Sequence, residues 1–396
     1  MPHLRKRHLF PIVKKLLSYS PIVAIFGHRQ VGKTTLAQQF QGQYLTLDLP
    51  QTLRLAREDP EGFIKQNMSS RLIIDECQLA PELFPTLKDW VRRNPKPGQF
   101  LLTGSVRFSS RKAIRESMTG RYVAAELIPM DHSEIHQIPL NDSLLQIQRS
   151  KTFPEFKRVS WANEKTLLQY IRHGGLPGMF AVRDHSILHQ KFETQIETLL
   201  ERDLRLLIQT SVSLSSLRRL LVELAKAQGQ ILNLVQLSRI SRISTPTLRK
   251  MLPAFEAMFL IRKIATRGGR RKDCVFFEDI GEAFFLHQDY QHWRSRGPEI
   301  LYAVLRGQYA YRSELGAKFF RYETAGGALV PLAVESSIGT MGLVPIDGEL
   351  PNASESKSSI SFLKSYPKSK VIFISFESTS RIISHRSAVY PIYNLL

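Results

Sequence analysis

Lysine, threonine and two acids stand in this chain at the spacing that phosphate chemistry uses. Gly27-His28-Arg29-Gln30-Val31-Gly32-Lys33-Thr34 has the pattern of a phosphate-binding loop: glycine, four residues, then Gly-Lys-Thr. The backbone N–H groups of such a loop turn inward, and the helix behind it adds partial positive charge at its start. Gly27 and Gly32 allow close approach, His28, Arg29, Gln30 and Val31 shape the turn, and Thr35 follows in the helix. Lys33 is placed to meet β- and γ-phosphates, and the Thr34 hydroxyl is a candidate Mg²⁺ ligand. Downstream, an apolar run ends in Asp75-Glu76. Asp75 is expected as the second-shell carboxylate of the metal, and Glu76 as the base that orients and deprotonates water. Thr103 and Ser105 end another apolar run and read either as contacts to the γ-phosphate or the water, or as a plain turn. A transferring phosphoryl group also needs a cation, for which Arg121 is the candidate; solvated surface charge is its alternative.

The elements that hold these residues follow from the apolar runs. Ile22–Phe26, bounded by Pro21 and Gly27, reads as a buried parallel strand, and residues 35–40 as a helix. Further strands are expected over 44–48, 71–76, 99–105 and 122–127, with helices between them such as 81–93. That alternation implies an α/β fold whose parallel sheet is covered on both faces and carries ligands at its strand C-termini.

The motifs GHRQVGKTTL, YLTLDLP, LIIDECQ, FLLTGS and SMTGR, in this order and spacing, resemble a large prokaryotic family of AAA-superfamily ATPases. Its members carry a C-terminal domain of unassigned function related to PD-(D/E)xK nucleases. The resemblance covers nearly the whole chain and is strongest over residues 22–134. It implies ATP rather than GTP, makes Asp75 and Glu76 the Walker B pair, and sets Gln78 and Arg121 on the family's glutamine and Gly-Arg positions.

With 396 residues the chain is too long for one ordinary core, and 43% hydrophobic residues make a globular composition. Three regions are expected: a P-loop ATPase domain over 1–135, a helical and winged-helix middle over 136–285, and an α/β nuclease-like domain over 286–396. The 55 Lys and Arg against 35 acids give +20, with an isoelectric point near 10.0. That excess suits a polyanionic partner, nucleic acid first and an anionic membrane surface second. Cys77 and Cys274 lie far apart and outside any CxxC pair, which argues against a disulfide framework or zinc site and for the cytoplasm. The basic N-terminus is not followed by a secretory core, and no apolar run is long enough to span a bilayer.

In the middle region, residues 234–239 and a helix opening at Ser244-Thr245-Pro246 read as a helix-turn-helix. Leu248, Leu252, Phe255 and Phe259 would face the core, leaving Thr247, Arg249 and Lys250 outward for DNA. Pro253 is expected to kink or end that helix. A hairpin over 260–277 would be the wing, with Arg267, Arg270, Arg271 and Lys272 at its tip. Winged helices also serve as protein-docking modules or ATPase lids, so both uses stay open.

In the C-terminal third, the nuclease resemblance sets Phe319 on the metal Asp, Ala333 on the metal Glu and Glu335 on the Lys. Neither this register nor one slid by two residues leaves a metal site, so no nuclease activity is expected. Residues 339–361 read as a loop, and 371–375 and 388–392 as closing strands. The sequence therefore predicts a Mg²⁺-dependent ATPase that controls a homo-oligomeric assembly on duplex or branched DNA, with the arginine finger supplied by a neighbouring copy and no membrane. A nucleotide-gated regulator with negligible turnover is the second reading.

Overall fold

The computed structural model describes residues 4–107, 122–269, 272–377 and 380–396. They form two units, Met1–Pro129 with Pro253–Leu260, and Met130–Leu252 with Ile261–Leu396.

The first unit is built on β1 (Ile22–Phe26), β2 (Gln43–Thr46), β3 (Leu72–Asp75), β4 (Phe100–Gly104) and β5 (Tyr122–Glu126), in the order β2-β3-β4-β1-β5. Every pairing is parallel. Because β1 and β4 are flanked on both edges and both faces, all their residues are buried, which is why they read as unbroken apolar runs. The helix Leu83–Arg93 covers one face with Leu83, Phe84, Leu87 and Val91, spaced at one to two helical turns. Phe259 completes this core, and Arg107 lies 4.4 Å over its ring while its N–H donates to the Ala257 carbonyl at 2.9 Å.

The second unit is organised by an eight-stranded mixed sheet. Its strands are β6 (Ile261–Arg267), β7 (Asp273–Phe277), β8 (Lys318–Glu323), β9 (Leu329–Ser336), β10 (Gly339–Ile346), β11 (Lys370–Ser375), β12 (Arg381–Ser384) and β13 (Ser387–Pro391). They run in the order β12-β13-β11-β10-β9-β8-β6-β7. Alternate residues feed two cores: Leu332, Leu343, Ile372 and Ile374 pack with Ile300, Leu301 and Val304 of the helix Gly297–Leu305. Ala333, Val344, Val371 and Phe373 pack with Phe362 of the helix Ala353–Ser365. This period of two is the pleat itself.

Three expectations are revised. Residues 339–361 are no loop, since they hold β10 and most of the helix Ala353–Ser365. Pro253 does not end its helix, which runs Thr245–Ala257. Burial of Leu252 and Phe255 on either side outweighs the roughly 3 kcal/mol that a mid-helix proline costs. The hairpin β6–β7 is not a free wing, because β6 pairs parallel with β8 and so joins the large sheet. Of the positions that the nuclease resemblance picks out, Phe319 faces Val334 in register, Ala333 faces Phe320 and is wholly buried, and Glu335 faces Lys318.

A buried ion pair anchors the second unit. Arg306 donates to the carboxylate and the carbonyl of Glu278, and Arg262 Nε donates to Glu278 Oε1 at 2.8 Å. Glu278→Ala would strand the Arg306 guanidinium, and is expected to destabilise the unit by about 3–5 kcal/mol. Chemical denaturation monitored by circular dichroism reads that loss.

Candidate nucleotide site

Three short elements meet at the C-terminal end of the first sheet. The loop after β1 is braced from below. A side chain at Gly27 would place its Cβ 2.3 Å from the Leu127 carbonyl, and Leu127 N–H donates to the Phe26 carbonyl at 2.7 Å. Only glycine fits that approach. From the other side Arg7, itself buried, donates to the Val31 carbonyl at 2.7 Å and the Ile128 carbonyl at 2.6 Å. Gly32 then turns the chain at φ 99°, and the helix Lys33–Ala37 begins.

Lys33 is buried, with Nζ donating to the Gly27 carbonyl at 3.0 Å and the His28 carbonyl at 2.9 Å. The ammonium therefore spans the mouth of the loop. His28 is buried beside it, Nδ1 2.6 Å from the Arg29 carbonyl, Arg29 is half-buried, and Gln30 adopts a left-handed backbone at φ 61°. Thr35 is exposed.

The acids lie opposite. Asp75 closes β3; its Oδ2 accepts from Thr34 Oγ1 and from Tyr44 OH, each at 2.7 Å, and its Oδ1 accepts from Thr103. The hydroxyl of Thr103 also accepts from the Glu76 N–H at 3.3 Å. Glu76 turns the chain into a left-handed conformation at φ 55°, unusual for a side chain of this size. Its Oε2 accepts from the Gln78 amide and from Ser105 Oγ at 3.3 Å, and Gln78 in turn reaches Ser105 Oγ at 3.0 Å. Burial holds the Cys77 thiol well above its ordinary range, with the charges of Glu76 and Asp75 adding to it, so this cysteine is inert at neutral pH. Burial, then the bond to Asp75, likewise raise the Tyr44 phenol and keep it a hydroxyl donor.

The sequence-expected residues Lys33, Thr34, Asp75 and Glu76 thus converge with the loop Gly27–Gly32. Thr103 and Ser105 are engaged with the two acids. Thr34 and Asp75 offer hard oxygen donors, the set that suits magnesium. Tyr44 and Arg7 escaped notice: the tyrosine is an ordinary strand residue by type, and the arginine sits in a basic run that looks like solvated surface. Arg121, Arg270 and Arg271 lie outside the described residues. Among the DNA candidates, Arg249, Lys250 and Lys272 are exposed. Thr247 is taken up at the helix start, its hydroxyl 2.8 Å from that of Ser244. Arg267 turns inward, bonded to Glu335 at 2.9 Å and lying 4.0 Å over the Phe320 ring, so its expected place at a DNA-facing tip is corrected. Arg239 and Arg242 are exposed cations on the same helical pair that the spacing argument passed over.

Residues 19–136 match the family model of an AAA domain, and residues 164–271 match that of a domain of unknown function, DUF8612. Uncharacterized protein Mb2031c of Mycobacterium bovis and uncharacterized protein Rv2008c of Mycobacterium tuberculosis are each 25% identical over 286 residues. The match covers 70% of this chain and 58% of each relative, so the chain spans little more than half their length. Among solved structures, the Walker-type ATPase PABY2304 of Pyrococcus abyssi aligns with a TM-score of 0.39 at 14% identity, over 72% of this chain and 96% of that one. Residues 19–136 form an AAA-type domain with a nucleotide-binding P-loop. No helix among the described residues is long and apolar enough to cross a membrane.

Proposed function

We propose that the chain is a Mg²⁺-dependent ATPase whose nucleotide state controls an oligomeric, DNA-bound assembly in the cytoplasm. One observation carries the reading: the Lys33 ammonium lies across the loop mouth while Thr34 and Asp75 face it, joined at 2.7 Å. Lys33 and the loop amides bind and orient the phosphates. Thr34 and Asp75 would hold magnesium, which supplies charge neutralisation on the phosphates. Glu76, once released from Gln78 and Ser105, accepts a proton from water at its carboxylate. Arg121 of a neighbouring copy is the proposed cation for the transferring phosphoryl group. The net charge of +20 supports a nucleic-acid partner, with Arg249 and Lys250 as phosphate contacts. Without a converging pair of metal carboxylates on β8 and β9, the C-terminal region is proposed to grip DNA rather than cut it.

A second reading has its own support. The Glu76 carboxylate is held by two donors, which suits a switch that retains ATP and hydrolyses it slowly. ATPase rates measured against single-stranded, duplex and branched DNA separate the two. The first reading expects stimulation of several-fold by one of these; a rate near background with and without each of them supports the switch and overturns the motor. Arg249→Ala with Lys250→Ala is expected to lower duplex affinity and to flatten the salt dependence of log K by about two units. An unchanged slope in fluorescence anisotropy would move the contact elsewhere.

A further inference from the structure

Asp75 carries three hydroxyl donors, and their arrangement limits what it can do. Both Thr34 and Tyr44 donate to Oδ2, each at 2.7 Å, whereas Thr103 donates to Oδ1. A carboxylate offers about four lone-pair sites, two on each oxygen. Oδ2 is therefore saturated, and one site on Oδ1 remains for a partner from outside. Thr34 belongs to the loop and Thr103 to β4, but Tyr44 comes from β2, the edge strand of the sheet. Thr46 is in register with Asp75, and Tyr44, two residues earlier on the same strand, shares its face.

We infer that Tyr44 is a positioning residue that sets the metal preference of the site. By filling the second acceptor site on Oδ2 it leaves Asp75 a single outward bond. That suits a single contact, to the metal or to a water bound to it, and disfavours ligation through both carboxylate oxygens. Magnesium dehydrates reluctantly and keeps several waters, whereas calcium takes carboxylates directly, often through both oxygens. A Tyr44 hydroxyl on Oδ2 therefore favours magnesium over calcium. This inference rests on the nucleotide and metal reading above.

The test uses the full-length protein and a fluorescent ATP analogue, titrated in chelator, in magnesium and in calcium. Tyr44→Phe is expected to keep its chelator affinity within about twofold, because the loop and Lys33 are untouched. Its affinity in magnesium should fall by about 10- to 100-fold, the range of one hydrogen bond to a charged group, while affinity in calcium holds or rises. Tyr44→Gln, which retains a donor, should keep the magnesium preference of the unaltered protein. An unchanged magnesium-to-calcium ratio in Tyr44→Phe overturns the inference while leaving the site intact. If the unaltered protein binds no more tightly with magnesium than in chelator, the metal reading itself falls and takes this inference with it. Should Tyr44→Phe fail to fold, Tyr44→Met against Tyr44→Gln makes the same comparison, an unbranched chain without and with a donor.

Discussion

Lys33→Ala is expected to weaken ATP binding by roughly 100-fold or more, the equivalent of about 3 kcal/mol. Charge-assisted hydrogen bonds to phosphate oxygens are each worth about 1.5–3 kcal/mol, and an ammonium across the loop mouth makes more than one. The folded state should suffer little. Lys33 is buried, donating to the Gly27 and His28 carbonyls at 3.0 and 2.9 Å, so its removal also deletes a desolvated charge. Isothermal calorimetry with ATP and magnesium reads the first effect and thermal melting without nucleotide reads the second. Retention of affinity within a few-fold would mean that phosphates do not occupy this loop.

Glu76→Gln is expected to lower the hydrolysis rate by about 10²–10⁴-fold while ATP affinity stays within a few-fold. The amide is nearly the size and shape of the carboxylate, so the left-handed turn at φ 55° and the bond from the Glu76 N–H to Thr103 are preserved. What is lost is the proton acceptor. Gln78 Nε2 and Ser105 Oγ both donate to the same Glu76 oxygen, Oε2, and the amide oxygen can accept from them in its place. Single-turnover assays with labelled ATP measure the chemical step directly. A variant that still turns over at a tenth of the normal rate would remove Glu76 from the role of base and leave it as a structural turn.

Legibility in the sequence followed burial and local chemistry. Ile22–Phe26 and the run ending at Asp75 were readable because strands hidden on both faces show as unbroken apolar runs with punctuation at each end. β10 is mostly hidden too, between β9 and β11, yet Gly339, Gly342 and Pro345 interrupt its apolar residues and imitate a loop. The helix after it carried a sign that went unread: Asn352 and Glu355 form a capping box, the Asn-x-x-Glu spacing that announces a helix start. Its serine-rich face hid the amphipathic pattern, since Ser358 and Ser359 are buried where larger apolar residues are usual. Arg267 misled for another reason. Its neighbours in sequence are cations and glycines, but its partners Glu335 and Phe320 come from strands far along the chain, which no local pattern can reveal. The phosphate loop was legible to the residue, while Arg7, which braces it, and Tyr44, which holds Asp75, act through tertiary contacts alone.

Phe259, set in the core of the first unit although it is encoded far downstream of the rest, bears on how the protein is made. Synthesis proceeds from the N-terminus, so the nucleotide-binding sheet leaves the ribosome lacking one of its own core side chains and the aromatic ring on which Arg107 rests. It must wait, incompletely sealed, until residue 260 has emerged. A gene cut after residue 135, the boundary that looks natural in the sequence, would encode a permanently unfinished version of that nascent state and is a poor place for scissors.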